Sequence, residues 1–386
     1  MKLINYLILL IFTTIKIDAQ DICVKILLQQ INHNESLTLS LKSEQKFIIS
    51  FSNEPTKKYT TTGPLEICIK KEGSALAIAS GNKKSKASAQ GITITPESGH
   101  LELNNKHYEG SLCIHIDKEK IYVINRLPLE RYVYSVLKTE SWPGWPLEVN
   151  KAFAIASRTY VLHQRKLARQ TKQLYDIKDT TAHQTYSGYH ETPVLMEAVE
   201  LTKHMFVGYK NEAILAMFDC CCGGVIPAFI EHGINFSIAP YLKRTEKCLH
   251  CENCKLYEWD TEIDLKEFEE KIRCHIPNLK DIREIKIQRR DKAGLVNKII
   301  IKDKKASHVI GGRKIYSLIG NKKIKSFHYN LKKTSDKIQA SGKGLGHHLG
   351  LCQWGAKAMV EKGHSFIDVL QFYYPGTNIM KLIINN

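Results

Sequence analysis

The sequence predicts an α+β protein, with an N-terminal β-rich module followed by a larger mixed domain that carries a groove. Three observations predict it. Residues 21–127 alternate apolar and polar side chains, the signature of half-buried strands. From Pro128 the apolar spacing becomes helical. Beyond about residue 210 strand-like and helical segments intermix. With 386 residues, 43% of them hydrophobic, the chain can build one large core or two ordinary ones. The expected division is 1–19 as an export signal, 20–95 as the β-rich region and 96–386 as the mixed domain.

The opening "MKLINYLILLIFTTIKIDAQ" places Lys2 before an apolar run from Ile4 to Ile15, then a small residue at Ala19. That layout predicts a secretory signal cut after Ala19. The run falls short of the roughly 20 residues of a spanning helix. Left uncut, it would give membrane association through the N-terminal segment. "LTLSLKSEQKFIISF" and "GITITPESGHLELNN" read as strands, and "SLCIHIDKEKIYVINRL" as a hairpin turning at Asp-Lys-Glu-Lys. The polar "SGNKKSKASAQG" at 80–91 reads as a linker or loop. A helix is expected over about 129–141. A second begins at Pro146, a residue favoured at the first helical position, and a third lies near 192–204. Strands are expected at "AILAMFDC", "IREIKIQRR" and "VNKIIIKD". Two short helices close the chain, one stopped by Gly363 and one started by Ser365.

The formal charge is +17, and twelve Lys/Arg stand against two Asp between Lys302 and Lys343. Such a balance suits an acidic partner. Export removes nucleic acid from the expected partners and leaves an envelope polymer or membrane surface. The eleven cysteines concentrate at Cys220–Cys222 and in "CLHCENC" at 248–254. In an exported chain, disulfides between the two clusters are the first expectation; zinc ranks second and free reactive thiols third.

Two features point to chemistry. On the helix from Leu129 the apolar face runs Leu129, Tyr132, Val133, Val136, Leu137 and then meets Glu140, where the pattern calls for a hydrophobe. A glutamate at a helix C-terminus opposes the macrodipole, and burial adds desolvation. Both favour the protonated form, as a general acid requires. The bland alternatives are a carboxylate turned to solvent or one paired with an arginine such as Arg158. The second feature is "GKGLGHHLGLCQWGA", where four glycines surround His347 and His348. Glycine there lets backbone approach a ligand and leaves N–H groups to donate; the alternative is tight turns packed on a neighbour.

Together these segments resemble the stage II sporulation protein D family, also described as SpoIID/LytB-domain proteins. "LERYVYSVLKTESWPGWPLEVNKAFAIASRTYVL", "TTAHQTYSGY", "FDCCCGGVIPAF" and "GKGLGHHLGLCQWGAKAMVEKGHSFIDVLQFYYPGT" are similar to family motifs in the family's order, over about residues 100–380. The resemblance implies a peptidoglycan lytic transglycosylase that cleaves the MurNAc–GlcNAc bond with Glu140 as catalytic residue. It further implies Arg158, Gln184, His347 and Gln353 as substrate-binding positions, glycan strands as the partner, and division or wall-remodelling proteins beside them. The expected location is the periplasm or cell envelope. No cofactor and no metal are expected. Where some members carry a Cys/His zinc site, "DIKDTTAHQ" has Lys178 and His183 instead. The competing readings are a non-catalytic wall-binding or division-scaffold protein and a metal- or redox-responsive envelope protein built on the cysteines.

Overall fold

The computed structural model describes residues 14–18, 23–32, 37–42, 46–52, 54–61, 65–72, 75–80, 83–87, 91–180 and 183–385. Most of the expected signal, its apolar run to residue 13 and its cut after Ala19, lies outside the described residues. Thr14–Asp18 forms a strand paired in parallel with Asn378–Asn385. The chain divides into two compact units. One is Met1–Phe206 with Asn211–Ala213 and Ile379–Asn386; the other is Val207–Lys210 with Ile214–Asn378. Each mixes helices and strands, so the fold is α+β. The boundary expected at 95/96 falls inside the first unit, because the strand Gly91–Pro96 pairs on both sides, with Ser111–Asp117 and Phe47–Phe51.

The first unit is built on a seven-stranded sheet and a six-stranded sheet. The expected hairpin is present: Ser111–Asp117 pairs antiparallel with Lys120–Pro128, register Asp117 to Lys120, and Lys118 takes φ 54° at the turn. The expected loop at 80–91 is a correction. Lys83–Ala87 is a strand pairing with Ala75–Ser80 at the edge of the six-stranded sheet. Lysines on an edge strand discourage pairing with other chains, so a polar run there is compatible with strand as well as with loop.

Helix α1 (Leu129–Glu140) leaves the hairpin at Pro128. Its predicted face is buried: Leu129, Tyr132, Val133, Val136 and Leu137 are each at most 1% exposed. Helix α2 (Leu147–Gln170) starts one residue later than expected, with Pro146 as its cap and not its first helical residue. Helix α3 (Pro193–Leu201) follows. The α1–α2 pair is tied by a buried ion pair. Arg158, 0% exposed, donates from Nε and Nη2 to the Glu130 carboxylate, and its Nη1 donates to the Met205 carbonyl. Glu130 also accepts the His204 amide at 3.1 Å.

The second unit packs helices α4 (Leu265–Arg273) and α5 (Gly312–Ile319) with two three-stranded sheets around a core that includes Phe268, Ile272, Ile299, Ile315 and Ile338. The sequence reading passed over both helices. Helices α6 (Gln353–Glu361) and α7 (Phe366–Tyr373) match expectation, with Gly363 at φ 91° and a full capping box at Ser365 and Asp368. The lysine-rich stretch is partly neutralised on its own surface: Lys302 pairs with Glu284, Lys304 with Asp281, Lys337 with Glu262 and Lys343 with Glu258.

Truncating one member of a buried ion pair strands the other's charge. Arg158→Ala is therefore expected to cost about 3–5 kcal/mol in equilibrium urea unfolding. Arg131→Ala, which breaks the partly exposed pair with Glu109, is expected to cost at most about 1 kcal/mol.

Candidate functional site

Glu140 is the last residue of α1 and is half-buried. The segment 183–192 is laced along α1 and determines its surroundings. The Thr185 amide donates to Glu140 Oε1 at 2.8 Å, and Thr139 Oγ1 donates back to the Thr185 carbonyl at 2.7 Å. Further along, Ser187 Oγ donates to the Ser135 carbonyl, His190 Nε2 bonds the Tyr134 carbonyl, and the Thr192 amide donates to Tyr134 Oη. Gly188 sits at φ 78°, and a Cβ there would collide with the His107 carbonyl, so glycine is needed for this segment to lie flat. The lacing explains why α1 buries Tyr134 and Ser135 outside its predicted apolar face.

Two influences act on the Glu140 carboxyl in opposite senses. Desolvation by the packed segment raises its pKa, and the Thr185 hydrogen bonds, which favour the anion, lower it; the net direction is upward. The arginine pairing that could have quenched it is absent for Arg158, whose carboxylate partner is Glu130. Arg158 was expected at the groove. With a fully buried guanidinium committed to Glu130 and Met205, it is instead a core ion pair that fixes the helix bearing Glu140.

Gln184 lies beside this centre, 1% exposed. Its Oε1 accepts the Tyr132 hydroxyl at 2.9 Å, and its Nε2 has no partner among the described residues. Just beyond the helix, Ser141 Oγ donates to Asn150 Oδ1, fixing the turn into α2. Trp142 is 58% exposed, with its ring 6.2 Å from that of Trp145. The sequence analysis gives neither Thr185 nor Trp142 a role in the site, and nothing in the pattern marks a backbone amide as a carboxylate's partner.

His347 and Gln353 belong to the second unit. The glycine-rich loop there spends its amides on the protein. Gly344 donates to the Tyr257 carbonyl, Leu345 to Cys221, Gly346 to Lys325, the His348 amide to Asp219 Oδ2 and the Leu349 amide to His347 Nδ1. The tight-turn alternative therefore describes this backbone better than free donation to a ligand. Desolvation holds His347 down to about 4 and His348 to about 3, so both rings are neutral near pH 7. Gln353 opens α6 and is half-buried.

The cysteines correct the expectation of disulfides. Among the described residues no cysteine is in a disulfide. Instead the sulfurs of Cys222, Cys248, Cys251 and Cys352 all lie within 4.8 Å of one another, and all four residues are buried. At positions 178 and 183, Lys178 is exposed and His183 Nδ1 lies 3.4 Å from the Tyr160 hydroxyl.

A protein with a helix-end glutamate held under a laced segment, on an α+β frame, invites comparison with wall-processing families. The family model described as stage II sporulation protein matches residues 117–209, and a domain of unknown function matches 237–350. An uncharacterized protein of Brachyspira hyodysenteriae is 30% identical over 75% of this chain and 77% of its own length. Stage II sporulation protein D of Bacillus subtilis is 26% identical over 66% of this chain and 75% of its own length. The amidase enhancer of Bacillus subtilis is 29% identical over 63% of this chain but only 39% of its own length. The chain belongs to the SpoIID family.

The raised pKa of Glu140 has a consequence for stability. Between the ordinary glutamate value and the higher native one, the folded protein holds a proton that the unfolded chain has released. Stability therefore falls as pH rises through that interval. Glu140→Gln is expected to remove this part of the fall, read as urea midpoints measured from about pH 4 to about pH 8.

Proposed function

We propose that the protein is an exported peptidoglycan lytic transglycosylase of the cell envelope, cleaving MurNAc–GlcNAc bonds with Glu140 as general acid and then base. The observation that carries the reading is a half-buried carboxyl at the end of α1 whose pKa is raised by desolvation and steadied by the Thr185 amide. The family membership and the relatives named for stage II sporulation and amidase enhancement support a role in peptidoglycan processing. Among the described residues no helix is long and apolar enough to cross a membrane.

In this mechanism protonated Glu140 donates its proton to the glycosidic oxygen as the bond from C1 breaks. The carboxylate left behind takes the proton of the sugar's C6 hydroxyl, whose oxygen attacks C1 and closes a 1,6-anhydro ring. No water is consumed, and one carboxyl serves both steps, which calls for a pKa near the working pH. A hydrolase would need a second carboxylate to activate water or to form a covalent intermediate. The Thr185 amide gives the carboxylate stage a partner, so proton loss does not leave a bare buried charge. Trp142 offers an exposed ring on which a pyranose can stack, and Gln184, the residue before Thr185, is proposed as a sugar-binding position as the family resemblance implies. Arg158 acts as a positioning residue through Glu130. For the second unit taken by itself, His347 and Gln353 are proposed as sugar-binding positions, as the family resemblance implies.

Digestion of purified sacculi with the full chain, followed by mass spectrometry of the soluble sugars, is expected to yield 1,6-anhydro products. Glu140→Gln is expected to lower their release by about 10²- to 10⁴-fold while pelleting with sacculi is unchanged. Trp142→Ala is expected to weaken pelleting. Retained binding with no anhydro product from the wild type would favour a non-catalytic wall-binding or scaffold protein.

A further inference from the structure

We propose that Cys222, Cys248, Cys251 and Cys352 bind one structural zinc ion, which pins the His347–Gln353 loop to the body of the second unit. The expectation of no metal is set aside on geometry. The Cys222 and Cys251 sulfurs are 3.6 Å apart and those of Cys248 and Cys251 3.9 Å apart. A tetrahedral zinc site with bonds of about 2.3 Å has sulfur–sulfur edges of about 3.8 Å. A four-iron cluster ligates each thiolate to a different metal and needs the sulfurs farther apart. The four residues are at most 1% exposed, so a site closed to water is already formed.

The ligands come from three stretches of chain. Cys222 lies beyond the short strand Phe218–Asp219, Cys248 and Cys251 form a two-residue-gap pair, and Cys352 caps α6. Hydrogen-bond donors are already aimed at the sulfurs, as metal thiolates require. The Cys222 and Gly355 amides each donate to Cys352 Sγ at 3.3 Å, and the Tyr373 hydroxyl lies 3.2 Å from Cys248 Sγ. At Gly355 any Cβ would meet the Tyr373 hydroxyl and come within 3.1 Å of Cys248 Sγ, so only glycine leaves room there.

Charge supplies an independent observation. Arg244 is 3% exposed, and its Nε and Nη2 have no hydrogen-bond partner among the described residues. Its guanidinium lies 5.6 Å from the centre of the Tyr373 ring, the same residue that touches Cys248. On binding, four thiols release four protons to solvent, and four thiolates around one Zn²⁺ leave a net charge of −2. That charge would act on the guanidinium together with Asp219, the buried carboxyl with which Arg244 already interacts. The ion would also hold the loop, because the Cys222 carbonyl accepts from His348 Nδ1 at 2.9 Å and Cys352 adjoins Gln353.

Elemental mass spectrometry of the full chain, purified without chelator, is expected to find about one zinc per chain. Cys251→Ser and Cys352→Ser are expected to lose it, and Cys274→Ser, at an exposed thiol, to keep it. Because a ligand variant can fail to fold, the wild type is also titrated with a mercurial in the presence of a chromogenic chelator. Zinc release should then follow reaction of the exposed thiols such as Cys274 and track reaction of the buried cysteines. A metal-free protein, iron in place of zinc, or peptide mapping that finds these four cysteines in disulfides would overturn the proposal.

Discussion

The structure turns on a contest at one carboxyl group. Packing the 183–192 segment onto α1 takes water away from Glu140 and pushes its proton affinity up, while the Thr185 amide holds the ionised form in reserve. Desolvation alone would give an acid that could not readily serve as a base, and an exposed glutamate would give neither. The side chain can hold either state because the same segment that excludes water also supplies the donor.

The contest needs a rigid frame, and the buried Arg158–Glu130 pair supplies it. Such a pair adds little net stability over apolar packing, but it resists any register other than its own, because a slipped helix would leave a charge buried alone. Glu130 starts α1 and Glu140 ends it, so anchoring the first turn fixes where the acid emerges. Arg158, buried against Glu130 and Met205, thus fixes the position of α1, and under the proposed function it would act through position and not through contact.

Much of the first unit was legible in the sequence. The hairpin at 111–128, the apolar face of α1 and the misfit at Glu140 follow from period and polarity, because single elements of regular spacing advertise themselves. What stayed hidden depends on partners distant in sequence. The Thr185 amide carries no side-chain signature of its bond to Glu140. Lys83–Ala87 looks like a loop until its place at a sheet edge is known. Helix α4 lay in a stretch crowded with charges, and the glycine-rich loop looked open because glycine marks close approach without saying to what. The cysteines were misranked for the same reason: sequence spacing allows disulfides and a four-thiol site alike, and only the folded distances separate them.

The most direct test of the account is the pH titration of the Glu140 side-chain carboxyl carbon by NMR, assigned by comparison with Glu140→Gln. The account predicts a midpoint above that of an ordinary glutamate, and a further rise when the Thr185 amide is removed by Thr185→Pro. A midpoint at or below the ordinary value would contradict it, because the group would then be a spent carboxylate at the pH where it is required to give up a proton.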